Sequence, residues 1–162
     1  MPVRLSRPPY RITTDVSHFD LDQVWRWLRG SYWAKGIPRA LVERSVRGAL
    51  SFAIMRGKRQ VALARVITDR ATFAYLADVF VDESVRRHGL ALWLMRVIRA
   101  HPDLQGLRRW MLATNDAHRL YAKVGFKPLA HPEWMMEITR PNLYLTRVAR
   151  VRSNRRARRA SG

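Results

Sequence analysis

One stretch of the sequence decides the fold: residues 75–91, YLADVFVDESVRRHGLA. An apolar run from Phe73 to Val81 ends in a polar turn, and the basic segment RRHGLA (residues 86–91) leads into a second apolar segment, Leu90 to Ile98. This order predicts a buried strand, a tight loop and the start of a helix. Backbone N–H groups at a helix N-terminus are unpaired and partly positive, and Gly89 lets the backbone approach a ligand closely. The pattern therefore predicts a phosphate-binding loop.

The same loop has a purely structural interpretation, in which Arg86, Arg87, His88 and Gly89 only form a helix-capping turn. Basic side chains at a helix N-terminus oppose the helix dipole. Three potential cations at this position are better explained by a bound anion, so we favour the phosphate-binding interpretation.

Composition bounds the class of protein. The chain has 162 residues, of which 48% are hydrophobic, and this suits one domain with a substantial core. It contains no cysteine, which excludes a disulfide framework and a cysteine-based zinc site, and we expect no metal. No apolar run approaches the ~20 residues that a membrane span needs. The N-terminus has no apolar signal segment, so we expect a cytoplasmic protein without a membrane partner.

The charge is strongly one-sided. Lys and Arg number 31 against 12 Asp and Glu, giving a formal net charge of +19. Such a charge favours anionic partners, namely nucleic acid, the ribosome or an acidic small molecule. Only four of these cations are lysines, and this bias towards arginine is equally typical of a GC-rich genome.

The basic residues are concentrated at the C-terminus. RVARVRSNRRARRASG (residues 147–162) has seven arginines and no acidic residue, so it cannot bury an apolar face. We therefore predict a folded domain over residues 1–145 and a disordered basic tail over residues 146–162. The tail is either an electrostatic arm for nucleic acid or an acidic protein, or simply a solvated end.

The hydrophobic pattern of the rest predicts a mixed α/β sheet with antiparallel hairpins first and βαβα after them. The predicted helices run from a cap at Ser17 or Asp20 to Leu28, from Pro38 to about Leu50, from Leu90 to about Ala100 and over 116–123. The predicted strands cover 10–14, 51–55, 60–68, 72–81, 108–113, 126–129 and 134–138.

Two motifs in this layout resemble those of the GNAT family of N-acetyltransferases. The first is the basic loop itself, since the family pattern is Arg/Gln-x-x-Gly-x-Gly/Ala. The second is AHRLYAKVGF (residues 117–126), which is similar to the family's Ala-x-x-Leu-Tyr-x-Lys-x-Gly-Phe. The resemblance covers roughly Tyr10 to Glu137, and SYWAKGIP (residues 31–38) is similar to a subgroup of small bacterial members. It implies a mostly antiparallel sheet flanked by helices, with a splayed central strand pair.

The resemblance also implies acetyl-CoA as the acetyl donor and an amine as the acceptor, with direct attack in a ternary complex. Homodimers are common in the family. The cofactor diphosphate would lie on backbone N–H groups of the loop, and Arg86 would add charge. The implied backbone donors are Arg87, His88, Gly89, Leu90 and Ala91.

On the central strand, the resemblance places Val79 and Val81 beside the pantetheine arm, where a strand amide would polarise the thioester carbonyl. Both valines also suit plain core packing. Tyr121 falls at the general-acid position and would return a proton to the CoA thiolate, although a tyrosine also packs well between helix and sheet. Asp78 is a candidate base, or a structural carboxylate bonded to backbone or to a nearby arginine.

Four further residues are candidates for binding. Thr114 stands where the family often has a cofactor-contacting Asn, and His118 lies one helical turn before the catalytic tyrosine position. Tyr32 and Trp33 are candidates for the acceptor site through a cation–π contact, with packing beneath the loop as the alternative. The leading hypothesis is an acetyl-CoA-dependent N-acetyltransferase. The second is a non-catalytic module of the same fold that binds RNA, the ribosome or an acidic partner.

Overall fold

The structure is a computed structural model and describes residues 4–145. The predicted basic tail, residues 146–162, lies outside this range. Within it, no helix is long and apolar enough to cross a membrane.

A six-stranded sheet forms the centre of the fold, with its strands in chain order. Every neighbouring pair is antiparallel except the last, in which β5 and β6 run parallel. This confirms the predicted mixed and mostly antiparallel sheet. The strands are β1 (Ser6–Arg7), β2 (Tyr10–Thr13), β3 (Leu50–Arg56), β4 (Arg59–Thr68), β5 (Phe73–Val81) and β6 (Arg109–Met111).

The complete α-helices within residues 4–145 are α1 (Leu21–Gly30), α2 (Arg39–Arg47), α3 (Leu90–Arg99) and α4 (His118–Ala122). The described chain divides into two compact units. The first contains residues up to Asp20 together with Arg44–Pro128, and it holds the sheet, α3 and α4. The second contains Leu21–Glu43 and the chain from Leu129 onward.

The core of the first unit lies between the sheet and α3, which packs against β3 and β5. Phe52 and Ile54 from β3 and Leu94 and Ile98 from α3 are almost completely buried in this cluster. Burying such side chains contributes about 1.5–3 kcal/mol each, so the packing of α3 fixes where its N-terminal loop stands.

The second unit is held by specific polar contacts as well as by apolar packing. The indole Nε1 of Trp25 donates to the carbonyl of Ile37 over 3.0 Å, and this bond closes the loop after α1. Arg39 joins Asp22 and Glu43 through ion pairs. The helices therefore hold the intervening loop 31–38 in place.

Three predictions of secondary structure were wrong. Strands at 126–129 and 134–138 are absent from the described chain, where a 3₁₀ turn, Pro132–Trp134, separates irregular segments. Their apolar pattern resembles a strand, but Pro128 and Pro132 remove backbone donors, and a strand needs a partner. The second helix stops at Arg47 rather than near Leu50, because Gly48 follows it and Leu50 begins β3.

The turn between β4 and β5 is built on one carboxylate. Asp69 accepts hydrogen bonds from the backbone N–H groups of Ala71, Thr72 and Phe73 and from the hydroxyl of Thr72, over 2.6–3.0 Å. The Thr72 hydroxyl and these N–H groups hold the pKa of Asp69 far below its usual range. The ionised side chain therefore fixes the register in which the central strand leaves the turn.

Asp69→Asn is expected to lower the urea midpoint of unfolding at pH 7, because the amide accepts these bonds less strongly than the carboxylate. A depressed folded pKa stabilises the fold above the unfolded pKa, and this stabilisation is lost as the pH falls. The difference from the wild type should therefore shrink below about pH 3.9. Asp103→Asn is the control, since the carboxylate of Asp103 forms an exposed ion pair with Arg70. If the urea midpoints of the wild type and Asp69→Asn differ by a constant amount down to pH 2, the ionised Asp69 carboxylate does not stabilise the turn.

Candidate active site

The central strand β5 and its parallel neighbour β6 separate partway along β5. β6 pairs only with the first three residues of β5, Phe73 to Tyr75, so the two strands separate from Leu76 onward. Val79 and Val81 lie on this second half of β5 and are half-buried against the core cluster. Their side chains thus pack as the structural interpretation predicted, and their contact with a cofactor stays a prediction.

A β-bulge interrupts the same half of β5. Leu63 pairs with Phe80 and Arg65 with Ala77, so two residues of β5, Asp78 and Val79, face one residue of β4. Asp78 takes a left-handed conformation with φ 51°. Aspartate occupies this region more readily than most non-glycine residues, which explains why the bulge forms at this position.

The carboxylate of Asp78 is anchored rather than solvated. Its Oδ2 accepts from Nε of Arg65 over 2.6 Å, and the two side chains are only 10% and 13% exposed. Nη1 of Arg65 in turn donates to the carbonyl of Ser45 over 3.1 Å. The structural interpretation of Asp78 thus has its arginine partner, while the role of general base stays a prediction. Arg65 itself was not among the candidate site residues, since one basic residue in a strand gives no signal of its partner.

The loop after β5 places backbone donors at the start of α3. Arg87 and Gly89 have positive φ angles of 68° and 71°, and Gly89 is the N-terminal cap of α3. Within residues 4–145, nothing accepts from the backbone N–H groups of residues 87–91. Successive backbone N–H groups that include left-handed residues can form an anion-binding nest, so these groups are candidates for one.

Local hydrogen bonds order the segment between the end of β5 and this loop. Asp82 caps the 3₁₀ turn Glu83–Val85 by accepting from the N–H and hydroxyl of Ser84. The Ser84 hydroxyl and Arg59 hold the pKa of Asp82 below its usual range, so it caps the turn as a carboxylate. Nε of Arg86 donates to the carbonyl of Val81 over 3.1 Å. These contacts connect the end of β5 rigidly to the loop.

Arg7 of β1 adds a cation that the sequence did not reveal. A Cβ atom built on Gly89 would lie 3.6 Å from Nη1 of Arg7, which places the guanidinium beside the loop. Trp93 of α3 secures the neighbouring backbone by donating to the carbonyl of Arg4 over 2.9 Å. Arg7 precedes the loop by some eighty residues, and only the sheet brings the two together.

The turn at Gly125, after the end of α4, fixes the position of Tyr121. Gly125, with φ 96°, donates to the carbonyl of Ala122, and Phe126 donates to the carbonyl of Tyr121. This is a Schellman motif, and its usual apolar contact is the edge-to-face packing of Phe126 on Tyr121, with ring centroids 6.0 Å apart. Tyr121 also packs against the core cluster and is half-buried. The Gly-Phe pair of the second motif therefore fixes the tyrosine, and its role as acid stays a prediction.

The remaining candidates have local structural roles. Oγ1 of Thr114 accepts from the N–H groups of Asp116 and Ala117, so it caps the turn that leads into α4. His118 is the exposed first residue of α4. Tyr32 and Trp33 lie in the second unit, 55% and 44% exposed, with their rings edge to face at 4.9 Å. Their contacts with cofactor or acceptor stay predictions.

The part of the chain that the structure describes has no cluster of three or more histidine, aspartate and glutamate side chains suited to a metal ion.

Comparison with known proteins agrees with this fold. The family model "Acetyltransferase (GNAT) domain" matches residues 47–128, which include β4, β5, the loop and α4. The chain belongs to the GNAT family of acetyltransferases. A Xanthomonas campestris protein assigned to the same family is 49% identical in sequence, with a TM-score of 0.83 over 86% of this chain and 99% of that one.

Two more distant similarities extend the comparison. A Gibberella zeae protein assigned as an acetyltransferase is 28% identical over 145 residues, which span 75% of this GNAT chain and 81% of that protein. A Clostridium acetobutylicum protein, assigned as an acetyltransferase and crystallised with acetyl-CoA, shares the fold at 15% identity. Its TM-score is 0.59 over 80% of this chain and 94% of that one.

Gly125→Ala is expected to destabilise the protein by about 1–2 kcal/mol, because an L-residue with a Cβ is disfavoured at a positive φ. Urea unfolding measures the change. Gly30→Ala is the matched control, since Gly30 ends α1 without a positive φ and a Cβ there would meet no atom within 4 Å. Equal stability of the two variants would show that the Schellman motif does not hold the end of α4.

Proposed function

We propose that this GNAT protein transfers the acetyl group of acetyl-CoA to an amine. The observation that carries the proposal is the set of backbone N–H groups of residues 87–91, which lie without a backbone acceptor at the start of α3, after the half of β5 from which β6 has separated. Acetyl-CoA has a diphosphate that such donors bind and an extended arm that a strand edge can pair with.

The diphosphate would lie on the N–H groups of Arg87, His88, Gly89, Leu90 and Ala91. The side chains of Arg86 and Arg7 would add positive charge at this point, and the dipole of α3 favours an anion there as well. Cations gathered at a helix N-terminus repel one another and the dipole, and a bound diphosphate removes this repulsion.

The arm of acetyl-CoA would follow β5 where β6 has separated from it. Val79 and Val81 offer backbone groups on this stretch, and a strand amide would donate to the thioester carbonyl. Such a donor stabilises the negative charge that the oxygen gains as the amine nitrogen attacks the carbonyl carbon. When the tetrahedral centre collapses, the C–S bond breaks and the sulfur leaves as a thiolate.

Tyr121 would give its phenolic proton to that thiolate and recover a proton from solvent. The excess proton on the attacking nitrogen leaves to water. The acceptor is a small-molecule or peptide amine, and Tyr32 and Trp33 remain the candidates for binding it. The alternative of a non-catalytic module for RNA, the ribosome or an acidic partner rests on the net charge and the tail, and it stays a prediction, as do a homodimer and a cytoplasmic location.

Gly89→Glu is expected to weaken acetyl-CoA binding tenfold or more, about 1.4 kcal/mol, because it puts bulk and negative charge where the diphosphate would lie. Isothermal titration with acetyl-CoA measures the affinity. Gly106→Glu is the matched control: it has the same change of charge, a φ of 73° against 71°, and open space around its Cβ. Unchanged affinity in Gly89→Glu, or an equal loss in both variants, would show that the loop does not bind the diphosphate.

Tyr121→Phe is expected to lower kcat by roughly 10²-fold with little change in acetyl-CoA affinity, since only proton transfer is removed. Release of free CoA with a panel of amines gives the rate. Tyr10→Phe serves as the control, because Tyr10 is likewise half-buried against the core cluster. If Tyr121→Phe turns over at the wild-type rate, another group protonates the thiolate.

A further inference from the structure

We infer that Arg65 is a positioning residue for acetyl transfer, because its ion pair with Asp78 holds the bulge of β5 that sets the direction of the strand amides beside the thioester. This inference rests on the proposed function. It assigns Asp78 a positioning role instead of that of a general base.

The bulge needs such support. Asp78 has a φ of 51°, which is disfavoured for residues that have a Cβ, although aspartate and asparagine adopt it more readily than most. An unfavourable conformation of this kind persists only where the surroundings impose it. Arg65 imposes it through the 2.6 Å bond from Nε to Oδ2, and the carbonyl of Ser45 fixes the other side of the guanidinium.

The bulge has a direct consequence for the backbone donors of β5. N–H groups alternate between the two edges of a regular strand, and one extra residue reverses this alternation. Ala77 and Phe80 both face β4 across the bulge, with Asp78 and Val79 between them. The bulge therefore decides which amide after Asp78 faces β4 and which faces the stretch where β6 has separated.

The ion pair also argues against proton transfer to Asp78. Both side chains are almost buried, at 10% and 13% exposure, and Oδ2 of the carboxylate accepts a short charge-assisted bond from Arg65. Loss of the negative charge of Asp78 would leave the Arg65 charge buried without its counter-ion. The proton of the attacking amine is thus expected to leave to solvent.

Two double variants separate the positioning role from the catalytic one. Arg65→Met with Asp78→Gly and Arg65→Met with Asp78→Ala both remove the ion pair and the carboxylate. They differ only in whether residue 78 takes a positive φ without strain. The glycine variant is expected to keep kcat within about threefold of the wild type. The alanine variant is expected to lose roughly 10²-fold in kcat, as when an oxyanion donor is misplaced. The KM for acetyl-CoA should change little in either variant.

Equal and large losses in the two variants would overturn the inference and return Asp78 to the role of base. Wild-type rates in both would show that the bulge needs no ion pair. Crystal structures of both variants test the geometry of the bulge independently of turnover. We expect residue 78 to lose its left-handed conformation in the alanine variant alone. An unchanged bulge in the alanine variant would refute the inference, whether or not the wild type has activity. A wild type without turnover would instead count against the proposed function.

Discussion

The backbone N–H groups of residues 87–91 lie at the start of α3, and nothing within residues 4–145 accepts from them. A folded protein satisfies nearly all of its buried polar backbone groups, so donors gathered at the surface in this way are available to a ligand or to water. Arg87 and Gly89 have positive φ angles, and the packing of α3 in the core fixes the position of the helix that follows them.

The sheet next to this loop is paired unevenly along its central strand. β5 is nine residues long, but β6 pairs with only three of them, so the parallel pair opens towards the end at which the loop begins. The bulge at Asp78 lies in this open half, and the ion pair to Arg65 holds it. One segment, residues 73–91, thus contains the strand edge, the bulge and the turn that the proposed acetyl transfer would use.

The sequence predicted most of this segment, because each of its features is local. The apolar run of β5, the basic loop and the start of α3 are contiguous, and the second motif holds Tyr121 and Gly125 within a few residues of each other. Arg65 and Arg7 could not be found in this way. Each meets its partner, Asp78 or the Gly89 loop, only through strand pairing between distant segments, and a lone arginine in a chain with 31 basic residues is not distinctive. The two strands predicted after Gly125 are absent for the converse reason, since a local apolar pattern does not supply a neighbouring strand to pair with.

A crystal structure of the full chain grown with acetyl-CoA tests the central claim most directly. The account predicts diphosphate oxygens within about 2.7–3.2 Å of the backbone nitrogens of residues 87–91. It also predicts the thioester beside β5 and within reach of Tyr121. A ligand that occupies another part of the molecule, with this turn contacting only solvent, would contradict it.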